Sequence, residues 1–232
     1  MTTESIPALE IDIVSDVVCP WCFVGKRQLE EALSRWREAN PDQPAPLLRW
    51  RAFQLNPDMS PTGIPREEYL RLKFGRTDGG SIYDRVKTAG RMVGIDLKVE
   101  KIVRQPNTLK AHALIELSGE TGLQDAMAEA LFAAYFIDGR DLSDDAVLRE
   151  IALAVGLSAD SIDAALIGES VTRLVAAGEA EMREYGVTGV PLFIFGREGG
   201  ERVAISGAQG ADALLAALGQ TAERRAAAVG QA

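Results

Sequence analysis

The hydrophobic pattern near the N-terminus predicts a strand followed by a long helix. Residues 9–14 alternate between apolar and polar side chains and are rich in β-branched residues, which is typical of a strand. The next segment repeats apolar side chains at roughly helical spacing and stops at Asn40 and Pro41. Its apolar positions are Phe23, Leu29, Leu33 and Trp36. A strand-to-helix turn therefore lies just before residue 20.

The C-terminal part of the chain repeats strand signals. An apolar strand begins at Pro191, a second strand covers residues 202–206, and a helix is predicted from about Ala208 to Leu218. The region between Arg66 and Tyr185 has mostly helical periodicity, and no convincing strand appears in it. The pattern therefore predicts an α/β unit formed by both ends of the chain and interrupted by a helical segment.

Composition and charge narrow the range of functions. The chain has 232 residues, of which 47% are hydrophobic and 25% charged, so it can bury a sizeable core. Its formal charge of -9 argues against nucleic-acid binding, which depends on Lys and Arg neutralising phosphates. No apolar stretch is long enough to span a membrane, and the N-terminus does not resemble a signal peptide. We therefore expect a cytoplasmic protein, with no nucleic-acid or membrane partner and an oligomeric state left open.

The only two cysteines, Cys19 and Cys22, lie in the segment Asp-Val-Val-Cys-Pro-Trp-Cys-Phe. A structural disulfide is disfavoured, because closing so short a loop stabilises little and the cytoplasm keeps thiols reduced. Structural zinc prefers four Cys or His ligands, and His112 is the only histidine. Zinc held by both thiolates, His112 and one carboxylate remains an alternative. A redox pair without a bound metal is the favoured interpretation.

The position of the motif suggests how such a pair would work. Pro20 suits the first helical position, which makes Cys19 the N-cap residue of the helix. The N–H groups of Trp21 or Cys22 and the positive end of the helix dipole would then favour a Cys19 thiolate. We expect Cys19 to be the nucleophile and Cys22, one turn further on, to resolve the mixed disulfide.

Four segments together resemble the DsbA-like thioredoxin-fold oxidoreductases, most closely the FrnE-type branch. They are residues 15–22, 50–57 (Trp-Arg-Ala-Phe-Gln-Leu-Asn-Pro), 107–112 (Asn-Thr-Leu-Lys-Ala-His) and 189–195 (Gly-Val-Pro-Leu-Phe-Ile-Phe). The resemblance implies an α/β thioredoxin fold with a large all-helical insertion domain. We place the thioredoxin-like domain at residues 1–54 and 187–232 and the helical insertion at 55–186.

The resemblance also implies an activity. It predicts a dithiol-disulfide oxidoreductase or isomerase that acts on protein or low-molecular-weight thiols and disulfides. Its redox-active disulfide would be Cys19–Cys22, with no bound cofactor. In thioredoxin-type sites a cis-proline faces the Cys-x-x-Cys motif, here Pro191, and the preceding residue, here Val190, pairs with the substrate chain. An ordinary trans proline opening an edge strand is the alternative.

Several residues depart from the family or admit two interpretations. Thioredoxin and DsbA carry an acidic residue six positions before the nucleophile, where this chain has Ile13. Asp16 is either a proton-transfer group or a solvated turn aspartate. His112 either lowers the pKa of Cys19 as a cation or is a structural histidine. Trp21 either contacts substrates at the rim or belongs to the core. The second cysteine pair of some FrnE-type proteins is absent, which excludes a relay through it.

Two other functions compete with disulfide exchange. One is a glutathione-dependent isomerase or transferase, as in the related kappa-class glutathione transferases and 2-hydroxychromene-2-carboxylate isomerases, with glutathione as co-substrate. Those enzymes typically have serine at the nucleophile position, so Cys19 and Cys22 speak against this function. The other is a binding module with a vestigial motif, which is disfavoured because both thiols and the proline loop are retained.

Overall fold

A four-stranded mixed sheet forms the centre of the molecule. The computed structural model describes residues 8–77, 80–196 and 200–229. The sheet has the order β2 (Leu47–Ala52), β1 (Glu10–Ser15), β5 (Leu192–Phe195) and β6 (Val203–Ser206). Strand β1 runs parallel to β2 and antiparallel to β5, and β6 is antiparallel to β5. The central strands β1 and β5 therefore bring the two ends of the chain together.

Nine α-helices accompany the sheet within the described residues. They are α1 (Pro20–Ala39), α2 (Arg66–Phe74), α3 (Gly80–Met92), α4 (Leu109–Ser118), α5 (Gln124–Ala133), α6 (Asp145–Val155), α7 (Ala159–Leu166), α8 (Glu169–Glu184) and α9 (Ala211–Val229). Seven of them, α2 to α8, come between β2 and β5, as expected for a helical insertion. None of the helices in the described ranges has both the length and the apolar character needed to cross a membrane.

An aromatic cluster joins the first helix to the inserted helices. Phe23 on α1 stacks on Phe132 of α5, with ring centroids 5.1 Å apart and planes within 8°. Phe136, in a π-helical turn that continues α5, lies 6.4 Å from Phe23. Trp50 of β2 approaches Phe132 at 6.1 Å. The sheet and the helical segment thus share one hydrophobic core.

Close packing of α1 on the sheet depends on a glycine. A Cβ atom at Gly25 would lie 3.0 Å from the ring of Phe193 and 3.2 Å from Pro191 Cγ. These distances are shorter than most Cβ contacts in proteins, so a side chain at this position would require α1, Phe193 or Pro191 to shift by a few tenths of an ångström. Gly25 therefore lets the helix that carries the cysteines approach the strand that follows Pro191.

Two expectations from the sequence are wrong. The region from Arg66 to Tyr185, which was predicted to lack strands, contains the short strand β4 (Arg104–Gln105). It pairs antiparallel with β3 (Ile64–Pro65), which lies just before that region. Each strand has two residues, too few to show an alternating pattern. The last helix begins at Ala211, after Gly207 and Gly210, which both have positive φ angles. It continues past Leu218 to Val229, through an alanine-rich sequence of high helix propensity.

Candidate active site

Cys19 occupies the N-cap of α1, as predicted. Pro20 is the first helical residue, and the backbone of Cys19 is extended, with φ -95° and ψ 109°. The Cys19 N–H donates to the Asp16 carbonyl at 2.9 Å, and the Cys22 N–H donates to the Cys19 carbonyl at 3.0 Å. The Cys19 side chain makes no capping hydrogen bond, so nearby N–H groups act on the sulfur through their dipoles.

The pKa of the Cys19 thiol lies below its usual value. A hydrogen bond from the Cys22 thiol is the largest cause, because it stabilises the Cys19 thiolate. The backbone N–H groups of Cys22 and Trp21 act in the same direction. Burial and the negative charge of Asp16 oppose them and raise the pKa of Cys19. The net effect favours the thiolate, the form that attacks disulfides.

Cys22 is shifted in the opposite direction. Burial is the largest cause that raises its pKa well above the usual value, followed by its hydrogen bond and charge interaction with Cys19. The Ser15 hydroxyl and the Asp16 backbone lower the pKa of Cys22 only in part. Both residues are free thiols in the structure, and both are buried. Cys19 therefore loses its proton more readily than an ordinary thiol, whereas Cys22 retains its proton.

Pro191 and Val190 lie against the cysteine motif although 171 positions separate Val190 from Cys19. The Val190–Pro191 peptide bond is cis, which confirms the geometry expected from the Thr-Gly-Val-Pro sequence. The Cys19 thiol donates to the Val190 carbonyl at 3.7 Å. That bond requires the sulfur to carry its proton, so ionisation of Cys19 releases the Val190 carbonyl. Substrate binding by Val190 and Pro191 stays a prediction.

Asp16 is fully buried, so the alternative of a solvated turn aspartate is wrong. Its Oδ2 accepts from the Leu55 N–H at 2.8 Å, and its Oδ1 accepts from the Val18 N–H at 3.5 Å. These bonds connect the end of β1 to the loop that follows β2. Sequence position alone suggested a turn, but the loop after β2 covers the carboxylate and removes it from solvent.

His112 faces the core rather than solvent and is 3% exposed. It lies in α4, whose N-cap is Thr108, while the Asn107 side chain accepts from the Leu109 N–H at 2.9 Å. The His112 Nε2 atom is 3.4 Å from Asp16 Oδ1. His112 therefore lies beside the Asp16 carboxylate, which in turn acts on Cys19.

The remaining motif residues lie around the cysteine pair. Pro20 and Trp21 are half-buried, and Trp21 packs against the core while keeping part of its surface accessible. A substrate contact by Trp21 stays a prediction. Ile13 is buried on β1 and offers no ionisable group to Cys22. Within the described part of the chain, no group of three His, Cys, Asp or Glu residues is arranged to hold a metal ion.

A polar cluster that sequence reasoning missed holds the loop after β2. Glu179 on α8 is buried and accepts from the Gln54 N–H at 2.9 Å. Arg183 donates to the Gln54 carbonyl at 2.7 Å and lies 4.2 Å from the Phe53 ring centroid. In sequence, Glu179 and Arg183 resemble an ordinary exposed i,i+4 pair. Their contacts fix the loop whose Leu55 N–H binds Asp16.

The charge of Asp16 leads to a testable pH effect. Because the Asp16 carboxylate raises the pKa of Cys19, Asp16→Asn should lower that pKa further. The asparagine oxygen can still accept from the Leu55 N–H, so the loop should keep its place. We expect faster alkylation of Cys19 in Asp16→Asn than in the wild type at mildly acidic pH. An unchanged or slower rate, measured by mass spectrometry, would contradict this assignment.

Comparison with known proteins agrees with the fold. Residues 10–219 match the model of the DSBA-like thioredoxin domain. The chain belongs to this family. Members are thiol-disulfide oxidoreductases or isomerases, which is the activity expected of this chain. A probable DsbA oxidoreductase from Streptomyces coelicolor is 29% identical, with a TM-score of 0.80 over 92% of this chain and 89% of that protein.

Two further proteins match nearly the whole chain, one in sequence and one in structure. The Bacillus subtilis protein YwbO, itself uncharacterised, is 25% identical over 220 residues, which cover 94% of this chain and 99% of YwbO. A structure of the cytosolic disulfide reductase DsbM from Pseudomonas aeruginosa with GSH has a TM-score of 0.57 at 19% identity. It matches 92% of this chain and 99% of DsbM.

Proposed function

We propose that this DsbA-like protein is a cytoplasmic dithiol-disulfide oxidoreductase in which Cys19 is the nucleophile and Cys22 the resolving cysteine. The opposite pKa shifts of two thiols one helical turn apart carry this proposal. Because its pKa is lowered, Cys19 can attack as a thiolate. Because its pKa is raised, Cys22 stays protonated until the resolving step. Cytoplasmic location is supported by likeness to DsbM, a cytosolic disulfide reductase.

The exchange has two steps. The Cys19 thiolate attacks one sulfur of a substrate disulfide, and the other substrate sulfur leaves as a thiolate. Cys22 then loses its proton and attacks the Cys19 sulfur of the mixed disulfide. The second substrate sulfur leaves, the substrate is reduced to two thiols, and Cys19 and Cys22 become a disulfide. The same steps in reverse oxidise a substrate dithiol.

Protein or low-molecular-weight disulfides are the proposed substrates. The Val190 carbonyl lies 3.7 Å from the Cys19 sulfur, where it can accept from an extended substrate chain once Cys19 has lost its proton. The accessible part of Trp21 would provide an apolar contact beside it.

We also propose that the chain divides into a thioredoxin-like domain, residues 1–54 and 187–232, and a helical insertion, residues 55–186. All four strands of the central sheet fall in the two ranges of the thioredoxin-like domain.

Glutathione chemistry is the second candidate function. The DsbM structure contains GSH, which favours glutathione as a co-substrate of this fold. The chain would then act as an isomerase or transferase of the kappa or hydroxychromene-carboxylate type, or use glutathione to reduce its own disulfide. Retention of both Cys19 and Cys22 favours dithiol exchange over isomerisation or transfer to an electrophile.

Two assays separate these functions. Reduction of insulin disulfides that requires Cys19 supports dithiol exchange, whereas accelerated addition of glutathione to an electrophile supports a transferase. Insulin reduction that persists in Cys19→Ser would contradict dithiol exchange through Cys19, whereas a glutathione transferase should tolerate serine at this position. The reduction potential then gives the direction of electron flow, since thioredoxin-like reductases have values of about -270 mV and strong oxidants have values of about -120 mV. We expect an intermediate value, because Pro20 and Trp21 supply no additional cation.

A further inference from the structure

Strand β2 lies at one edge of the central sheet, where β1 is its neighbour on the inner side. The Leu47 N–H donates to the Leu9 carbonyl at 2.7 Å, and the Phe53 N–H donates to the Ser15 carbonyl at 3.0 Å. Successive residues of a strand direct their backbone groups to opposite edges. The odd-numbered residues of β2 therefore bond to β1, and the even-numbered residues direct their N–H and carbonyl groups away from the sheet.

Most of the outward-facing backbone groups of β2 have no hydrogen-bond partner in the part of the chain that the structure describes. The exception is the Trp50 N–H, which donates to the Gln124 side chain at 3.0 Å. The groups without a described partner are the N–H groups of Leu48 and Ala52 and the carbonyl groups of Leu48, Trp50 and Ala52. A strand edge of this kind can pair with another extended chain.

A groove follows this edge between β2 and the helices α4, α5 and α8. It consists of two adjoining cavities of about 630 Å³ and 250 Å³, whose walls share Arg51, Glu116 and Leu174. Apolar side chains also reach solvent here, since Leu47 is 53% exposed and Leu174 is 58% exposed. The groove therefore combines unpaired backbone groups with an apolar surface, the combination that accepts an added strand.

The unpaired charges of the groove are negative. Arg49 and Arg51 both pair with Asp12, at 3.0 Å and 3.2 Å. Asp125 pairs with Lys26 at 3.1 Å. Three glutamates in the walls form no ion pair with any described residue, and they are Glu116, Glu120 and Glu181. Basic side chains of a bound chain would complement these carboxylates.

We propose that this groove binds an extended segment of a substrate protein as an additional strand beside β2, with a preference for alternating apolar and basic side chains. The proposal rests on the proposed function, since it concerns the substrate of the same enzyme. The backbone of the segment bonds to Leu48 and Ala52 on the free edge. Its apolar side chains contact Leu47 and Leu174, and its basic side chains meet the three unpaired glutamates.

The groove leads toward the end of the sheet that carries the cysteine pair. Strands β1 and β2 are parallel, with Ser15 opposite Ala52 at their last paired position. The turn after Ser15 carries Cys19 at the start of α1. A substrate segment held along β2 therefore keeps the rest of its chain near Cys19 and raises its effective concentration there.

Gln124 occupies the middle of the free edge in the unbound protein. Its side-chain oxygen accepts from the Trp50 N–H, the bond that a carbonyl group of an added strand would make. The bound segment displaces this oxygen and takes over the bond. Gln124→Ala should therefore tighten binding of the segment by about threefold, because it removes a competitor for one hydrogen bond.

A fluorescein-labelled peptide of alternating valine and lysine residues is the probe. Its fluorescence anisotropy should rise to saturation as wild-type protein is added, and this measurement needs no thiol chemistry. The same peptide with N-methyl groups on alternate residues cannot donate backbone hydrogen bonds to β2 and should bind about tenfold more weakly. A peptide of alternating valine and glutamate should also bind more weakly. Equal binding of all three peptides, or binding of none, would overturn the proposal.

Leu48→Pro tests the strand edge in the protein itself. It removes an outward-facing N–H that the sheet does not use, and proline is tolerated at such positions of edge strands. Binding of the valine-lysine peptide should weaken by about fivefold. If Leu48→Pro does not fold, Gln124→Ala tests the same edge in the opposite direction. Unchanged or weaker binding in Gln124→Ala would contradict pairing along β2.

The three glutamates are tested by replacing them together with glutamine. The combined substitutions Glu116→Gln, Glu120→Gln and Glu181→Gln should weaken binding of the valine-lysine peptide by about tenfold. The matched control changes the net charge equally at exposed glutamates outside the groove walls, by Glu38→Gln, Glu68→Gln and Glu223→Gln. An equal loss in both variants would show that net charge alone attracts the peptide, and would overturn the role of the groove.

A second copy of this chain is the competing occupant. If β2 of another molecule filled the groove, sedimentation would show a dimer that the valine-lysine peptide dissociates. That result would overturn the assignment to a substrate segment. The proposal instead predicts that the peptide binds without changing the number of chains in the particle.

The valine-lysine peptide with a nitrothiobenzoate mixed disulfide at each end connects the groove to the cysteine chemistry. Reduced wild-type protein should release the coloured thiolate with a half-saturating concentration about tenfold lower than for the valine-glutamate version. Equal half-saturating concentrations would overturn docking in the groove as a step of substrate binding. Release from neither peptide would instead overturn the proposed function, and the anisotropy titration would still measure binding to the groove.

Discussion

Cys19→Ser should abolish disulfide exchange, whereas Cys22→Ala should stop the reaction at the mixed disulfide. Serine at the helix N-cap cannot supply a thiolate, and the remaining Cys22 is buried with a raised pKa. We therefore expect turnover to fall by at least about a thousandfold in Cys19→Ser. In Cys22→Ala the first attack persists, so mixed disulfides should accumulate on Cys19 until a reductant releases them. Non-reducing electrophoresis and mass spectrometry of the trapped species distinguish the two outcomes.

The assignment of roles would be wrong if the two variants behaved alike. Mixed disulfides on Cys22 in the Cys19→Ser protein would show that the second thiol can attack on its own. Full turnover in Cys22→Ala would show that an external thiol resolves the intermediate, as glutathione would in the second candidate function. Circular dichroism of both variants should match the wild type, since each substitution changes a side chain by a few atoms.

Phe132→Ala should destabilise the fold strongly. Phe132 is fully buried, stacks on Phe23 and contacts Trp50, so it joins α5 to both α1 and β2. Truncation removes the ring and leaves a cavity that the surrounding helices can only partly fill. We expect the free energy of unfolding to fall by about 3–5 kcal/mol. Urea unfolding followed by far-ultraviolet circular dichroism measures this loss through the transition midpoint.

Tyr185→Ala is the control for the loss of an aromatic ring. Tyr185 is 69% exposed at the end of α8, so its removal should change stability by no more than about 0.5 kcal/mol. A loss below about 1 kcal/mol in Phe132→Ala would contradict a shared core between the sheet and the inserted helices. An equal loss in both variants would show that the effect does not arise from burial.

The sequence was sufficient to predict the features of the site that depend only on neighbouring residues. Pro20 and the alternating strand before it were sufficient to place Cys19 at a helix N-cap, because capping depends on neighbouring residues only. The cis bond before Pro191 was also expected, from the Thr-Gly-Val-Pro sequence and the family resemblance. These features follow from a few consecutive residues.

The surroundings of the motif could not be predicted in the same way. Asp16 is buried by a loop about 40 positions further along the chain, and its neighbour His112 comes from a different helix. Burial of these residues depends on contacts between segments that are far apart in sequence, so it cannot be predicted from the pattern within one segment.

Alkylation of the reduced wild-type protein tests the assignment of the two cysteines most directly. We predict that iodoacetamide at mildly acidic pH modifies Cys19 while Cys22 stays unmodified, because the pKa of Cys19 is lowered and that of Cys22 is raised. As pH falls, Cys19 should remain reactive below the range of an ordinary thiol, and Cys22 should react only under alkaline conditions. Peptide mapping by mass spectrometry assigns the label to one residue. Equal rates at both thiols, or faster labelling of Cys22, would contradict the roles of nucleophile and resolving cysteine.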